Sequence, residues 1–258
     1  MKPKKSNLLA AAFTVPVIIC GVWYWQSRAH QHKHEKDSGE TSFDIYATAS
    51  KIHMLVLREH GSHQSIVYRQ FVAGETTREM VLPTSPKDKI ISRRSNDVQI
   101  AATGNHLLAA WQIAGTGYAH RGPIRTAESF DGGLTWRQSA PPTAGNHTDD
   151  QGFFDIDADN RGAFHIIWLD RAENSPGRRS AAKGLRYAML SGSRWSQPQT
   201  IDAETCQCCW NRLSRNPQGE LFALYRNARP RDMALAKFDG KAWNKLGIVD
   251  GFGWKVEL

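Results

Sequence analysis

Three stretches of this chain repeat one plan at a fixed interval, and the interval limits what the chain can fold into. DVQIAATGNHLLAAWQ begins at Asp97, FFDIDADNRGAFHIIWLD at Phe153 and NRLSRNPQGELFALYR at Asn211. Each reads as an extended run, a Gly-bearing turn and a second strand that ends on an aromatic. Trp111, Trp168 and Tyr225 therefore recur every 57 residues. In an all-β chain, repeats of this length imply the blades of a β-propeller rather than the two sheets of a sandwich. A hairpin bearing Trp136, Trp195 or Trp243 follows each unit. Alternation within HLLAAWQI and AFHIIWLD is partial, as expected of strands covered on both faces by neighbouring blades, and no segment reads as an amphipathic helix.

The first of these hairpins, SFDGGLTW from Ser129 to Trp136, has a physical logic of its own. A carboxylate at Asp131 can accept several backbone N–H groups in a tight turn, Gly132 or Gly133 can supply a positive φ, and Trp136 can anchor the outgoing strand. The pattern S-x-D-x-G-x-T-W, formed here by Ser129, Asp131, Gly133, Thr135 and Trp136, resembles the Asp-box of sialidase-like β-propellers. That resemblance implies a brace for an outer hairpin, not a catalytic acid at Asp131. LSGSRWSQP and FDGKAWNKL read as eroded copies that lack the threonine or the carboxylate at its place.

The units span residues 43 to 90, 91 to 142, 143 to 202 and 203 to 250, about four blades, whereas the sialidase-like ring closes with six. An open ring exposes strand edges and blade faces. The expectation is a shortened member of a longer family, a partner that completes the ring, or a self-assembled ring.

A second likeness begins near Gly152. GFFDI, WLDR (Trp168 to Arg171), LRYA, TCQCC (Thr205 to Cys209), YRN, RDM and DGFGWKV occur in the order seen in bacterial exported proteins labelled sialidase family or Asp-box repeat proteins. The likeness covers about 120 residues well. In that group the D-G-W segment is followed by a further cysteine and a Gly-Pro turn, then more blades. The resemblance therefore implies a mate for one cysteine of the cluster, and a plain structural disulfide.

Ahead of the repeats, residues 1–27 read as a basic tip and a membrane anchor. Leu8 to Trp25 is an almost uninterrupted apolar run of 18 residues, preceded by Lys2, Lys4 and Lys5 and closed by Trp23, Tyr24 and Trp25. Its length and flanks fit a single span with a cytoplasmic N-terminus and an aromatic belt; a cleaved signal peptide would carry a small-x-small site, which is absent here. Residues 28–42 read as a charged tether holding His30, His32 and His34, and 43–258 as the propeller, placed in the periplasm of a bacterial inner-membrane protein.

The formal charge is +8, of which +5 falls after residue 40. Arginines cluster at Arg178 and Arg179, at Arg212 and Arg215, and at Arg226, Arg229 and Arg231, a distribution that suits an anionic glycan or a protein partner. No nucleic-acid motif accompanies them. WLDR ends a strand at the expected mouth of the ring, so Asp170, Arg171, Arg226 and Arg231 are the ligand-binding candidates; ion pairs bracing adjacent blades are the equal alternative. The acidic string Asp149, Asp150, Asp155, Asp157 and Asp159 lacks a calcium-loop pattern and reads as strand and turn.

Cys206, Cys208 and Cys209 are the only cysteines after Cys20. In an extended strand Cys206 and Cys208 share a face, which suits a soft ion such as copper in its Cu(I) state. The cluster reads as a structural disulfide, a metal or redox site, or free thiols. Sialidase chemistry needs clustered arginines, a tyrosine nucleophile and acidic partners. The arginine-isoleucine-proline motif is absent, and Tyr187 and Tyr225 sit where strands take a packing aromatic. A non-catalytic binding module is expected, with an exo-sialidase-type glycosidase as the alternative.

Overall fold

The computed structural model describes residues 39–92, 96–115, 122–143, 151–171 and 183–249, with Arg171 and Lys183 described in their backbone only. The apolar run Leu8 to Trp25, the tether histidines, Asp149, Asp150, Arg178, Arg179 and the terminal DGFGWKV lie outside these residues. Among the described residues no helix is long and apolar enough to cross a membrane.

Among the described residues from Glu40 onward the chain is all-β, in four antiparallel sheets that follow one another in sequence. The first contains β1 (Glu40–Ala47), β2 (Ile52–His60), β3 (His63–Val72) and β4 (Glu75–Val81), paired in that order. The second contains β5 (Ile90–Ile91), β6 (Gln99–Thr103), β7 (His106–Ile113), β8 (Ile124–Ser129) and β9 (Arg137–Ser139), with β6 leading into β7. The third contains β10 (Gly152–Ala158), β11 (Phe164–Arg171), β12 (Lys183–Ser191), β13 (Arg194–Trp195) and β14 (Gln199–Thr205). The fourth contains β15 (Arg212–Arg215), β16 (Leu221–Arg226), β17 (Met233–Phe238) and β18 (Trp243–Ile248). The four units expected from the repeats are thus four β-propeller-like blades. The first strand starts at Glu40, inside the segment read as tether, because Glu40 joins Arg58 and Arg69 at 3.4 and 2.6 Å.

Three apolar cores lie between consecutive blades, and they explain the repeat. Trp111 faces Leu55, Ile66 and Tyr68 of the first blade. Trp168 occupies the same place among Leu108, Ala110 and Ile124, and Tyr225 among Leu169, Leu185 and Tyr187. Each recurring aromatic is thus the plug that a blade inserts against its predecessor, and all three are buried. Burying such side chains is the main driving term of the fold, about 1.5–3 kcal/mol each.

The leading strands are stitched side chain to backbone. Asp44 accepts the N–H of Ile100 at 2.9 Å, Gln99 that of Ile156 at 3.1 Å, and Asp155 that of Leu213 at 2.6 Å. Each bond satisfies an inner-strand donor that has no ladder partner. The stitching runs from β1 through β6 and β10 to β15. Among the described residues no fourth core joins the last blade to the first. Phe43, Ile45, Ile52 and Val81 on blade one, and Leu246 and Ile248 on blade four, stay exposed, as expected of an open arc.

Candidate functional site

The cysteines sit on the connection from β14 to β15, and backbone pairing fixes where it runs. Thr205 bridges Asn227, the N–H of Cys206 donates to the carbonyl of Arg226 at 2.9 Å, and Ala228 donates to Glu204 at 3.2 Å. The end of blade three is thereby tied to the β16–β17 turn of blade four. That turn is closed by Asn227 N–H to Asp232 O at 2.9 Å and by Arg226 Nε to Arg231 O at 3.2 Å.

This pairing collects residues far apart in sequence. The three Sγ atoms lie within 4.8 Å of one another. Cys206 Sγ is 2.6 Å from Cys209 Sγ and 3.8 Å from Cys208 Sγ. Arg231 directs Nη2 at Cys206 from 3.7 Å, and Arg226 directs Nη1 at Cys209 from 3.8 Å. Cys206 is buried, Cys209 half-buried and Cys208 exposed. Burial alone would raise the Cys206 thiol. Hydrogen bonds from Cys209, from the backbone at Cys208 and from Arg231 outweigh it and bring Cys206 down to about 7. Burial, and the proton that Cys209 gives to Cys206, push Cys209 up to about 11. The pair is poised as one thiolate and one thiol.

Of the ligand-binding candidates, Arg226 and Arg231 belong to this cluster. Their guanidiniums face sulfur. Asp170 is buried in blade three and accepts from Trp168 Nε1 at 3.1 Å, while the side chain of Arg171 lies outside the described residues. What the sequence reading missed was the convergence of cysteines and arginines, although TCQCC, YRN and RDM had each stood out as segments.

Other candidate residues take structural places. Asp131 Oδ1 accepts Leu134 N–H and Thr135 N–H at 3.0 and 2.9 Å, and Oδ2 accepts the Thr135 hydroxyl at 2.6 Å. Ser129 Oγ donates to Asp131 and accepts Gly133 N–H, both at 2.8 Å. Trp136 packs on the first core. The hairpin at Asp239 is less eroded than its letters imply: Oδ1 accepts Lys241 and Ala242 N–H, and Asn244 takes the threonine's role at 2.9 Å. Asp159 caps its own turn through Arg161 and Ala163 N–H, the turn role expected of it. Arg212 and Arg215 pair with Asp155 and Asp157 at 3.1 and 2.8 Å, binding blade four to blade three. Tyr187 and Tyr225 are buried, hydrogen-bonded to His165 and Asp202.

A cavity of about 420 Å³ opens along the leading strands of all four blades, lined in part by Phe43, Asp44, Gln99, Asp155, Trp210 and Arg212. Burial pushes the Asp155 carboxyl up to about 7, against the pull of Arg212 and of the Leu213 N–H.

No protein-family model matches the sequence, and no curated protein matches it. Among solved structures, the chain is similar to a GH43 β-xylosidase/α-arabinofuranosidase from a compost microbial metagenome, with 12% identity, 82% of this chain and 78% of that one covered, and a TM-score of 0.49. A GH62 α-L-arabinofuranosidase of Coprinopsis cinerea gives 10%, 83%, 70% and 0.46. A fucose-specific lectin of Aleuria aurantia gives 13%, 79%, 59% and 0.47. Likeness at this level does not carry activity over, and the blade arrangement rests on the strand topology itself.

Proposed function

We propose that the chain is a membrane-tethered, exported propeller of the sialidase-like kind that captures Cu(I) at Cys206, Cys208 and Cys209 and does not hydrolyse glycosides. The reading is carried by the convergence of three thiols within 4.8 Å under two guanidiniums. Thiolate is a soft ligand suited to Cu(I), and three thiolates suffice for that ion, whereas a closed zinc site wants four ligands. Two sulfurs sharing one ion through bonds of about 2.3 Å stand roughly 3.8–4.0 Å apart, and Cys206 and Cys208 are 3.8 Å apart. Cys209, closer to Cys206, joins by a side-chain rotation. Arg226 and Arg231 offset the surplus negative charge of a tris-thiolate site.

The basic tip and apolar run support an anchor in a bacterial inner membrane with the blades in the periplasm. An anionic glycan or a protein partner at the arginine rim is the companion expectation, and the guanidiniums' commitment to sulfur makes the thiolate cluster their first anionic occupant. The alternative, an exo-sialidase-type hydrolase, draws on the cavity carboxylates Asp44 and Asp155 but finds no exposed tyrosine at Tyr187 or Tyr225.

The test is an anaerobic titration of the reduced full chain in detergent with Cu(I) against a colorimetric Cu(I) chelator. One ion per chain, lost when all three cysteines become serine, is the expected result; no uptake, or uptake untouched by the triple change, overturns the reading.

A further inference from the structure

The separation of 2.6 Å between Cys206 Sγ and Cys209 Sγ is too short for two thiolates on one ion and sits closer to a bonding contact. The spacing is Cys-x-x-Cys, with a third cysteine inserted at 208. We infer that the three thiols form a thiol–disulfide relay, in which Cys208 exchanges with a disulfide on a partner molecule and the pair Cys206 and Cys209 holds the two electrons. This rests on the thiol cluster described above and not on copper.

Exposure and chain geometry assign the roles. Cys208 is the exposed thiol, so an incoming disulfide meets it first, and Trp210, 71% exposed, offers that partner an apolar platform two residues away. Cys208 and Cys209 are adjacent in sequence and would close a strained ring, so they do not pair directly. Cys206 makes the two shortest approaches in the cluster, 3.8 Å to Cys208 and 2.6 Å to Cys209. It is the relay atom.

The chemistry balances without a metal. The Cys208 thiolate attacks one sulfur of the partner's disulfide; the partner's S–S bond breaks, a mixed disulfide forms, and the first partner thiolate leaves and takes up a proton. Cys206 then attacks the Cys208 sulfur and expels the second partner thiolate, which is protonated in turn, leaving a Cys206–Cys208 disulfide. Cys209, on losing its proton, attacks Cys206 and frees Cys208 as a thiol. Two protein thiols have become one disulfide, the partner's disulfide has become two thiols, and two electrons and two protons have moved to the partner. Arg231 and Arg226 stand where sulfur carries negative charge in the attacking and leaving states. The partner is defined by its disulfide; a small one such as oxidised glutathione suffices as a probe.

The experiment uses the reduced, metal-free full chain with EDTA and a Cu(I) chelator present. It is exposed to oxidised glutathione, quenched with an alkylating agent and mapped by fragmentation mass spectrometry. Wild type is expected to finish with a Cys206–Cys209 disulfide and two reduced glutathiones per chain. Cys206→Ser is expected to retain glutathione on Cys208, Cys209→Ser to stop at Cys206–Cys208, and Cys208→Ser to react at least about tenfold more slowly. Circular dichroism of each serine variant confirms its fold. Glutathione trapped on Cys209 in Cys206→Ser, undiminished reaction of Cys208→Ser, or no exchange in wild type overturns the relay. Copper uptake without exchange keeps the metal reading and sinks this one, and exchange without uptake does the reverse.

Discussion

Trp136 in the second blade rests on Tyr68 in the first with ring centroids 5.2 Å apart. The same contact recurs two blade interfaces later, where Trp243 of the fourth blade meets Tyr187 of the third at 5.1 Å. Each tyrosine is held by a histidine of its own blade, His53 to Tyr68 and His165 to Tyr187, both at 2.8 Å. The carboxylate-centred hairpin is therefore a clamp between blades as well as a turn, and Trp195 completes the series by donating to Ala140 O at 2.7 Å.

Gly133 has a φ of 88° and lies against the ring of Tyr68, while Gly74 has a φ of 86° and open space around it. Gly74→Ala is expected to cost about 1–2 kcal/mol from the left-handed backbone alone. Gly133→Ala adds about 1–3 kcal/mol of overpacking. Urea melts of the two variants compare them; equal losses would show that the Tyr68 contact contributes nothing.

Hydrogen bonds from the Thr135 hydroxyl and N–H, with those from Ser129 and Leu134, hold the Asp131 carboxyl down to about 2. A carboxylate lowered on folding contributes stability that is complete above its unfolded value of about 3.9 and is lost as pH falls through the folded value. Thermal stability of the wild type should drop between pH about 4 and 2. Asp131→Asn, which cannot be protonated there, should melt lower at pH 7 and lose less over the same interval.

Asp155 runs the other way. Its carboxyl is raised to about 7 by burial, so its contribution is complete below the unfolded value and disappears as pH rises through 7. The melting temperature is expected to fall between pH about 4 and 7, on the order of 2–4 °C per kcal/mol for a domain of this size. Asp155→Asn keeps an acceptor for Leu213 N–H and should flatten that slope. A slope unchanged in the variant would assign it elsewhere.

Arg231 stands 3.7 Å from Cys206 Sγ. Arg231→Ala is expected to move the pH midpoint of Cys206 alkylation upward from about 7, toward the ordinary thiol value of about 8.5. Arg231→Lys should restore part of the shift. Iodoacetamide rates across pH 5–10, followed at Cys206 by mass spectrometry, read this directly.

Tyr187 and Tyr225 are closed off in blade cores, their hydroxyls tied to His165 and Asp202. The purified chain is expected not to turn over a fluorogenic sialoside. Turnover abolished by Tyr187→Phe or Tyr225→Phe would refute the non-catalytic reading.

The sequence by itself determined the all-β class, the number of blades and the place of each interblade plug, because blade packing is local and repetitive. Trp111, Trp168 and Tyr225 announce their role through an interval of 57 residues, and the turn at Asp131 through five letters whose hydrogen bonds close within the turn. Even the fading copy at Asp239 kept its bonds, with Asn244 replacing a threonine one position off the pattern. Only the tertiary structure decided what the arginines are for. Arg226 and Arg231 lie 17 and 25 residues beyond the sulfurs they face, at the far end of β16 and in the turn after it, and a cluster of positive charge in sequence does not say which group it will meet. Nor could letters show that Cys206 and Cys209 approach each other while Cys208 faces outward. That depends on the bridge between Thr205 and Asn227, a long-range pairing that turns three neighbouring cysteines into one relay atom, one partner thiol and one exposed entry point.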